Sequence, residues 1–369
     1  MVNLYLFQYD INHELSICKR LHIFMKMNDK AASLQDVAKK AGVSTATVSR
    51  VLNNLNYVSH SVRTRVEKAM KDLNYSPNRV ARRLRVKDGD RKLLGLLIPD
   101  IQNPFYVDVV RGVEELVFSK GYAVYICNFA QDYEKEKTYL NNLKSESIDG
   151  LIVAPYHEED KMVISLVRDG FPIVCVDRGL GDIEVDLVTV DNDAGAYKAV
   201  KHLIGLGHKR IGYVGGLQSI PTSRKRKDGY IRALEESGIP IDDSLVKFGD
   251  SKHESGKNLA LEFLNMSEPP TALFTGNNVI TLGALESIHS KGLNIPDDVA
   301  IVGFDDMYWS ISLNPPLTAV SQPGYEIGRQ AANMLFERLE EPGREPRRIV
   351  LNTKLMIRQS CGSKLAGNE

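Results

Sequence analysis

The chain has 369 residues, 43% hydrophobic and 25% charged, with a formal net charge of zero. That composition excludes a disordered polyelectrolyte, and no apolar run approaches the roughly 20 residues a membrane-spanning helix needs. The zero hides a split: Lys30 to Lys92 carry 15 Lys/Arg against 5 Asp/Glu, and the 277 residues after Lys92 carry 29 against 39. A small basic head on an acidic body predicts that only the head meets a polyanion.

Residues 1–29 contain short apolar pieces ("LYLF", "LHIFM") without a basic n-region, a continuous apolar core or a small-residue cleavage site, so no secretory signal is expected. They precede the first compact signal near Lys30 and are expected to be disordered or not native. The natural start is then expected at Met25 or Met27, which N-terminal mass spectrometry would check. Cys18, Cys127, Cys175 and Cys361 are scattered, with no CxxC and no paired His spacing. Neither a disulfide framework nor a metal site is expected, no cofactor is implied, and a reducing cytoplasm fits.

The stretch "LQDVAKKAGVSTATVSRVLNN" (Leu34 to Asn54) predicts two short helices. Leu34, Val37, Ala38 and Ala41 share one face of the first; Gly42 ends it and Ser44 can cap the second, whose apolar stripe is Val48, Val51 and Leu52. Thr45, Ala46, Ser49, Arg50 and Asn53 point outward. In a helix-turn-helix the second helix enters the major groove, where Arg50 could donate two hydrogen bonds to a guanine edge. The competing reading is a generic helical hairpin with solvated polar residues. "SVRTRVEKAMKDLNY" predicts a third helix, with Val62, Val66, Ala69, Met70 and Leu73 inward.

"SPNRVARRLRV" is basic and lacks an apolar face, so it would not hold as an isolated helix. A segment that folds only on DNA would suit it, with Leu84 wedged into a minor-groove base step. The plainer alternative is a flexible basic linker.

Beyond Lys92, short apolar runs alternate with amphipathic helices: "LLGLLIP", "YAVYIC", "GLIVAP", "PIVCVD", "LVTVD", "RIGYVGG", "TALFTG", "VAIVGFDD", "LTAVSQ" and "RIVLNTKLMIRQ". Continuous Val/Ile/Leu runs predict strands of parallel sheets buried on both faces. Ten or so β–α units exceed one sheet, so two doubly wound subdomains are expected. Such sheets bind ligands at the carboxyl ends of their strands. Asp177, Arg178, Asn277, Asp305 and Gln322 fall there, which predicts a small-molecule cleft. An enzyme is not expected: "GYVGG" is not a GxGxxG fingerprint, neither GxSxG nor HExxH occurs, and His202 and His208 read as packing or capping residues.

"DVAKKAGVSTATVSRVLNN" followed by "YSPNRVARRLR" resembles the lactose-repressor (LacI/GalR) family of bacterial transcription regulators. "IPDIQNPFYVDVVRGVE", "LGHKRIGYVGG", "IVGFDD" and "LTAVSQP" are similar to that family's effector domain, and the resemblance covers about residues 32–360. It implies an α/β chain with an all-α helix-turn-helix head at 30–76, a hinge at 77–91 and an effector and dimerisation domain at 92–369. That domain has the fold of type I periplasmic sugar-binding proteins. Its N-subdomain is expected at 92–190 and 322–347, its C-subdomain at 191–321 and 348–369. The implied partners are a near-palindromic operator in double-stranded DNA, a second copy of the chain, and a sugar, sugar acid or sugar phosphate effector; no membrane is implied.

By the same resemblance Thr45, Ala46 and Arg50 read bases, and Thr47, Ser49, Asn53 and Asn78 contact the DNA backbone. Leu84 enters the minor groove with Ala81 beside it, and Arg79 belongs to the same DNA-binding segment. The effector contacts fall on Phe105, Tyr106, Asp177, Arg178, Arg224, Asn277, Asp305 and Gln322. The chain departs from the family where Ser251 and Lys252 replace a common aromatic, and where Asn277–Asn278 replaces an Asn-Asp pair. Lys225 and Lys227 add charge beside Arg224 and are expected to point into solvent. No heptads follow Gln359, so the tetramer-forming tail of some family members is not expected. The alternative is a sugar-binding protein of the same fold without gene regulation.

Overall fold

The computed structural model describes residues 33–52, 58–73, 75 and 92–363. They fall into two compact units, one within Met1–Asp88 and one within Gly89–Glu369. Among the described residues no helix is long and apolar enough to cross a membrane.

The first unit contains helices α1 (Leu34–Ala41), α2 (Thr45–Leu52) and α3 (His60–Asp72). Ser33 and Asp36 form a reciprocal capping box at the start of α1, satisfying amides that have no partner inside the helix. Gly42 ends α1 in the left-handed region, φ +65°, which a side chain would disfavour. The Oγ of Ser44 accepts from the Thr47 amide at 3.1 Å and caps α2. Val37, Ala38, Ala41, Val48, Val51, Val66 and Ala69 form the buried centre, flanked by Leu34, Val62, Met70 and Leu73. The inward faces predicted for α1 and α3 are those observed.

In the second unit, β1 (Leu93–Ile98), β2 (Ala123–Asn128), β3 (Gly150–Val153), β4 (Ile173–Val176), β5 (Asp186–Val190) and β11 (Arg348–Leu351) make one sheet in the order β11-β5-β4-β3-β1-β2. The second sheet has β6 (Ile211–Gly215), β7 (Val246–Phe248), β8 (Ala272–Thr275), β9 (Ala300–Phe304), β10 (Thr318–Ser321) and β12 (Lys354–Met356) in the order β12-β10-β9-β8-β6-β7. All pairings are parallel except β10 with β12. β1, β3, β4, β6, β8 and β9 are buried along their whole length, as their unbroken apolar runs predict.

Helices α4 (Pro104–Ser119), α5 (Tyr133–Ser145), α6 (Lys161–Arg168) and α11 (Gly324–Glu340) belong to the first lobe. Helices α7 (Asn192–Gly205), α8 (Pro221–Glu235), α9 (His253–Leu264) and α10 (Asn278–Ser290) belong to the second. Where α4 crosses α11, a Cβ on Gly112 would lie 2.0 Å from the Tyr325 carbonyl oxygen, so only glycine allows that approach.

Two features differ from the sequence reading. "RIVLNTKLMIRQ" is not one strand: β11 pairs with β5 in the first sheet and β12 with β10 in the second. The first lobe therefore continues to Leu351, beyond the expected limit at 347. The chain changes lobes at Asn352 and Thr353, where the Thr353 amide donates to Asp191 Oδ1 at 2.6 Å. The three-residue edge strand β7 also escapes notice in the sequence, being too short for a periodicity.

One buried carboxyl in the first lobe has a pH consequence. Glu136 accepts from the Tyr156 amide at 3.0 Å. Burial above all, then its hydrogen bond to Asp160 and that residue's charge, push it up to about 9. The folded protein thus keeps Glu136 protonated where the unfolded chain has released the proton. For this group, stability falls as pH rises from its ordinary range towards 9. Glu136→Gln, which needs no proton to remain neutral, is expected to raise the melting temperature at pH 8 and to change it little at pH 4. An equal shift at both pH values would refute the assignment.

Candidate functional site

Two sites emerge, one in each unit. On the head, Thr45, Ala46 and Arg50 are exposed on α2, whereas Thr47 and Ser49 are half-buried. Thr45 and Ala46 stand at the capped amino end of α2 and Arg50 in its last turn, on the surface that the buried Val48 and Val51 leave free. Asn53, Asn78, Arg79, Ala81 and Leu84 lie outside the described residues.

In the second unit the cleft between the two sheets is lined by Phe105, Tyr106, Asp177, Arg178, Asn277, Asp305 and Gln322, seven of the eight predicted contacts. Each lobe supplies a carboxylate from an equivalent place. Asp177 follows β4 and Asp305 follows β9, both buried and both in left-handed backbone, φ +66° and +73°. Non-glycine residues held in such conformations cost about 1–3 kcal/mol each, a strain that concentrates at binding sites.

Around Asp177, the Tyr106 hydroxyl donates to Oδ2 at 3.0 Å and Arg178 Nη1 stands 3.6 Å from the same oxygen. Burial, then the neighbouring Asp177 charge, hold the Tyr106 phenol well above its ordinary pKa, so it remains a donor. Tyr106 meets Phe105 edge-on, with ring centroids 4.9 Å apart.

Around Asp305, Gln322 Nε2 donates to Oδ1 and Arg226 Nη1 lies 3.7 Å from Oδ2. Burial raises the Asp305 pKa while Arg226 and Gln322 oppose the rise. Arg226 itself is buried: Nε donates to Asn192 Oδ1 at 2.8 Å, Nη1 to the Gly276 carbonyl at 2.5 Å, and the guanidinium lies 3.8 Å from the Phe304 ring centroid.

Arg226 joins Arg178 in lining the cleft; Arg224 is not among the lining residues. Arg224 instead pairs with Glu158 of the opposite lobe and donates to the Gln218 carbonyl at 2.9 Å. The helical stripe Thr222, Arg226, Gly229, Tyr230 and Ala233 is buried, and Arg224 falls two residues off it. That 3.6-residue spacing was present in "PTSRKRKDGYIRA" and would have selected Arg226. Sequence reasoning also missed Thr222, Ser223 and Ser251 as lining residues. Lys225 is exposed, and Lys227 lies over the Phe248 ring at 5.7 Å; neither lines the cleft.

Asn277 caps α10, its Oδ1 accepting from the Ile280 amide at 2.7 Å and its Nδ2 donating to the Ser251 carbonyl at 3.2 Å. Beside it, Asn278 Nδ2 crosses to Asn103 Oδ1 of the other lobe at 2.8 Å. The cleft thus alternates carboxylates, guanidiniums, amides and hydroxyls beside two aromatic rings, a lining that suits a ligand with several hydroxyls and an apolar face. Among the described residues no group of His, Cys, Asp or Glu could hold a metal ion. His202 meets Cys361 and Ser363, and His208 meets Thr271.

Comparison with known proteins adds the lineage. Residues 33–78 match the family described as bacterial regulatory proteins, lacI family, and residues 91–359 match the periplasmic binding proteins and sugar binding domain of LacI family. The chain belongs to the LacI family of bacterial regulatory proteins.

Similar relatives include the HTH-type transcriptional repressor PurR of Haemophilus influenzae (strain PittEE), 37% identical over 90% of this chain and 100% of that protein. The HTH-type transcriptional repressor CytR of Escherichia coli (strain K12) is 35% identical over 91% of this chain and 98% of that one. Among solved structures, the lac repressor dimer bound to operator and the anti-inducer ONPF superposes with a TM-score of 0.77 at 28% identity. It covers 90% of this chain and 99% of that one. The transcriptional regulator CelR–cellobiose complex gives 0.68 at 32% identity, covering 89% and 99%. As a LacI-family transcriptional regulator, the chain pairs a helix-turn-helix head with an effector-binding domain of periplasmic-binding-protein type.

Proposed function

We infer that this LacI-family regulator represses transcription as a homodimer on a near-palindromic operator, and that a carbohydrate-like polyol in the cleft controls its affinity. The observation that carries the DNA half is the exposed set Thr45, Ala46 and Arg50 on the second helix of a head whose apolar residues are spent on its own core. Arg50 reads a guanine edge, Thr45 and Ala46 offer methyl or single-hydroxyl contacts, and Thr47 and Ser49 meet phosphates. The hinge at 77–91, with Asn78, Arg79, Ala81 and Leu84, orders on the operator, and Leu84 opens a minor-groove step. The site of action is the cytoplasm, where the operator lies, and the cleft binds without catalysing.

The effector half rests on the two left-handed aspartates, Asp177 and Asp305, facing one cleft from opposite lobes with Arg178 and Arg226 beside them. Such a pair changes its separation when the lobes close, so a polyol bridging both carboxylates stabilises the closed form. The contacts Asn278–Asn103 and Arg224–Glu158 join the two lobes across this cleft. Closure alters the spacing of the two hinges in the dimer and thereby operator affinity.

The test is operator selection from random duplexes with the full chain, followed by titration at several salt concentrations. Arg50→Ala is expected to lose about 1–3 kcal/mol of discrimination at one base pair of each half-site while retaining non-specific binding. Leu84→Ala is expected to weaken specific binding and leave ligand binding intact. Equal affinity of the unaltered chain for operator and random DNA would sink the regulator reading, and loss of ligand binding with Leu84→Ala would sink the hinge assignment.

A further inference from the structure

The loop after β3, residues 154–160, meets the cleft on one side and a sealed pair of carboxyls on the other. Its Pro155 carbonyl accepts from Arg178 Nε at 2.5 Å, and Arg178, 6% exposed, lines the cleft. Its Tyr156 amide donates to Glu136 Oε1 on α5 at 3.0 Å. That carbonyl and that amide belong to one peptide group, which is planar and rigid, so a displacement at one end is carried to the other. Two residues further on, Glu158 pairs with Arg224 of the second lobe.

Behind this peptide, Glu136 and Asp160 are fully buried and hydrogen-bonded to each other. Asp160 Oδ1 caps α6, accepting from the Met162 and Val163 amides at 2.9 and 3.0 Å. Glu136 Oε2 and Asp160 Oδ2 are sealed, and no other group donates to either. One proton lying between these two oxygens satisfies both. The amides at the start of α6 favour charge on Asp160, so the proton stays on Glu136. The other charged or titratable groups about the pair are Arg178 after β4, Cys175 on it, Lys137 and Tyr133 on α5, and Tyr156 and His157 in the loop. The Arg178 charge opposes the rise of the Glu136 carboxyl, and burial outweighs it.

Two carboxyls withdrawn from water cost more than an apolar pair would, and Leu140, Leu143 and Val163 already pack α5 and α6 into the core of the lobe. Fastening the two helices therefore does not account for the pair. What lies in line with it does: carboxyl, peptide and guanidinium form one chain of hydrogen bonds in which each bond polarises the next.

We propose that Glu136 is a positioning residue of the effector cleft: paired with Asp160, it holds the Pro155–Tyr156 peptide and through it sets the Arg178 guanidinium against Asp177. The effector reading above, on which this rests, supplies only what Arg178 is positioned to meet. When Glu136 loses its proton, two buried carboxylates face each other, the loop is pushed aside and Arg178 Nε loses its acceptor. Glu136→Gln keeps both bonds at every pH, its Oε1 accepting from the Tyr156 amide and its Nε2 donating to Asp160.

The test is nuclear magnetic resonance of the full chain labelled with nitrogen-15 arginine, the Arg178 Nε–H signal being identified by its loss in Arg178→Lys. At pH 7 the unaltered chain is expected to show a sharp, slowly exchanging signal. Glu136→Ala is expected to speed its exchange with solvent by about tenfold or more, and Glu136→Gln to leave it within about threefold. Raising the pH from 7 to 10 is expected to move the signal of the unaltered chain with a midpoint of about 9, and to leave that of Glu136→Gln in place. Should Glu136→Ala not fold, the pH series on the other two chains decides.

An Arg178 signal lost to exchange at pH 7 in the unaltered chain would overturn the relay, as would one that titrates alike with Glu136→Gln. A pair that merely fastens α5 to α6 gives a third result, also fatal: Glu136→Ala lowers the melting temperature and leaves the Arg178 signal unmoved. No ligand enters the measurement, so failure of the effector reading, judged by ligand titration, stays distinct from failure here.

Discussion

Arg226→Ala is expected to abolish ligand binding and to lower the stability of the effector domain by about 3–5 kcal/mol, the usual cost of leaving a buried charge without its partner. The guanidinium joins four structures at once: Asn192 at the start of α7, the Gly276 carbonyl after β8, the Asp305 carboxylate after β9 and the face of Phe304. Its removal leaves Asp305 buried with Gln322 as its remaining side-chain donor and opens a void over an aromatic ring. At roughly 2–4 °C per kcal/mol for a domain of this size, the melting temperature should fall by on the order of 10 °C. Arg226→Met with Asp305→Asn removes both charges and should recover much of that loss without recovering ligand binding, because the ligand's own charged partners are gone. Thermal denaturation with and without ligand separates the two effects. Arg224→Ala, which breaks a half-exposed pair, should cost under about 1 kcal/mol. A larger loss from Arg224 than from Arg226 would reverse the assignment.

The second large effect is expected at Asp186, where the returning chain is locked to the first lobe. The carboxylate is 1% exposed and accepts from Arg344 at 2.8 and 2.6 Å, from Arg338 Nε at 3.0 Å and from the Arg347 amide at 2.9 Å. Arg344 and Arg347 belong to the link between α11 and β11, so this one side chain sets where the last strand joins the sheet. Asp186→Ala strands two largely buried guanidiniums, again about 3–5 kcal/mol. Urea denaturation should show a lower midpoint. Hydrogen exchange should show Arg348–Leu351 losing protection before β1 and β3, because β11 lies at the sheet edge and β1 and β3 lie inside it. An unchanged midpoint, or uniform loss across the sheet, would refute the lock.

Local chemistry was readable to single residues. Ser33 was overlooked, yet the Gly42 stop, the Ser44 cap and the inward faces of α1 and α3 all depend on contacts within about four residues. Helix period and capping write those directly into the order of side chains. The buried parallel strands were equally plain, since a strand covered on both faces must be apolar at every position. Five cleft residues, Asp177, Arg178, Asn277, Asp305 and Gln322, followed from a topological rule, that doubly wound sheets gather ligands at their carboxyl ends, whereas Phe105 and Tyr106 followed from the family resemblance alone.

What the sequence by itself determined is therefore the sequence of elements, the basic head with its second helix facing outward, and the strand ends at which polar groups converge. Only the tertiary structure decided that Ser251 joins the cleft, that Asn278 crosses to Asn103 of the other lobe, and that β11 and β12 part to different sheets. Each of these depends on which distant segments meet, from 26 residues apart for Ser251 and Asn277 to 175 for Asn103 and Asn278. No short-range pattern carries that, because neither a helix nor a strand period says which distant segment a side chain or a strand will meet.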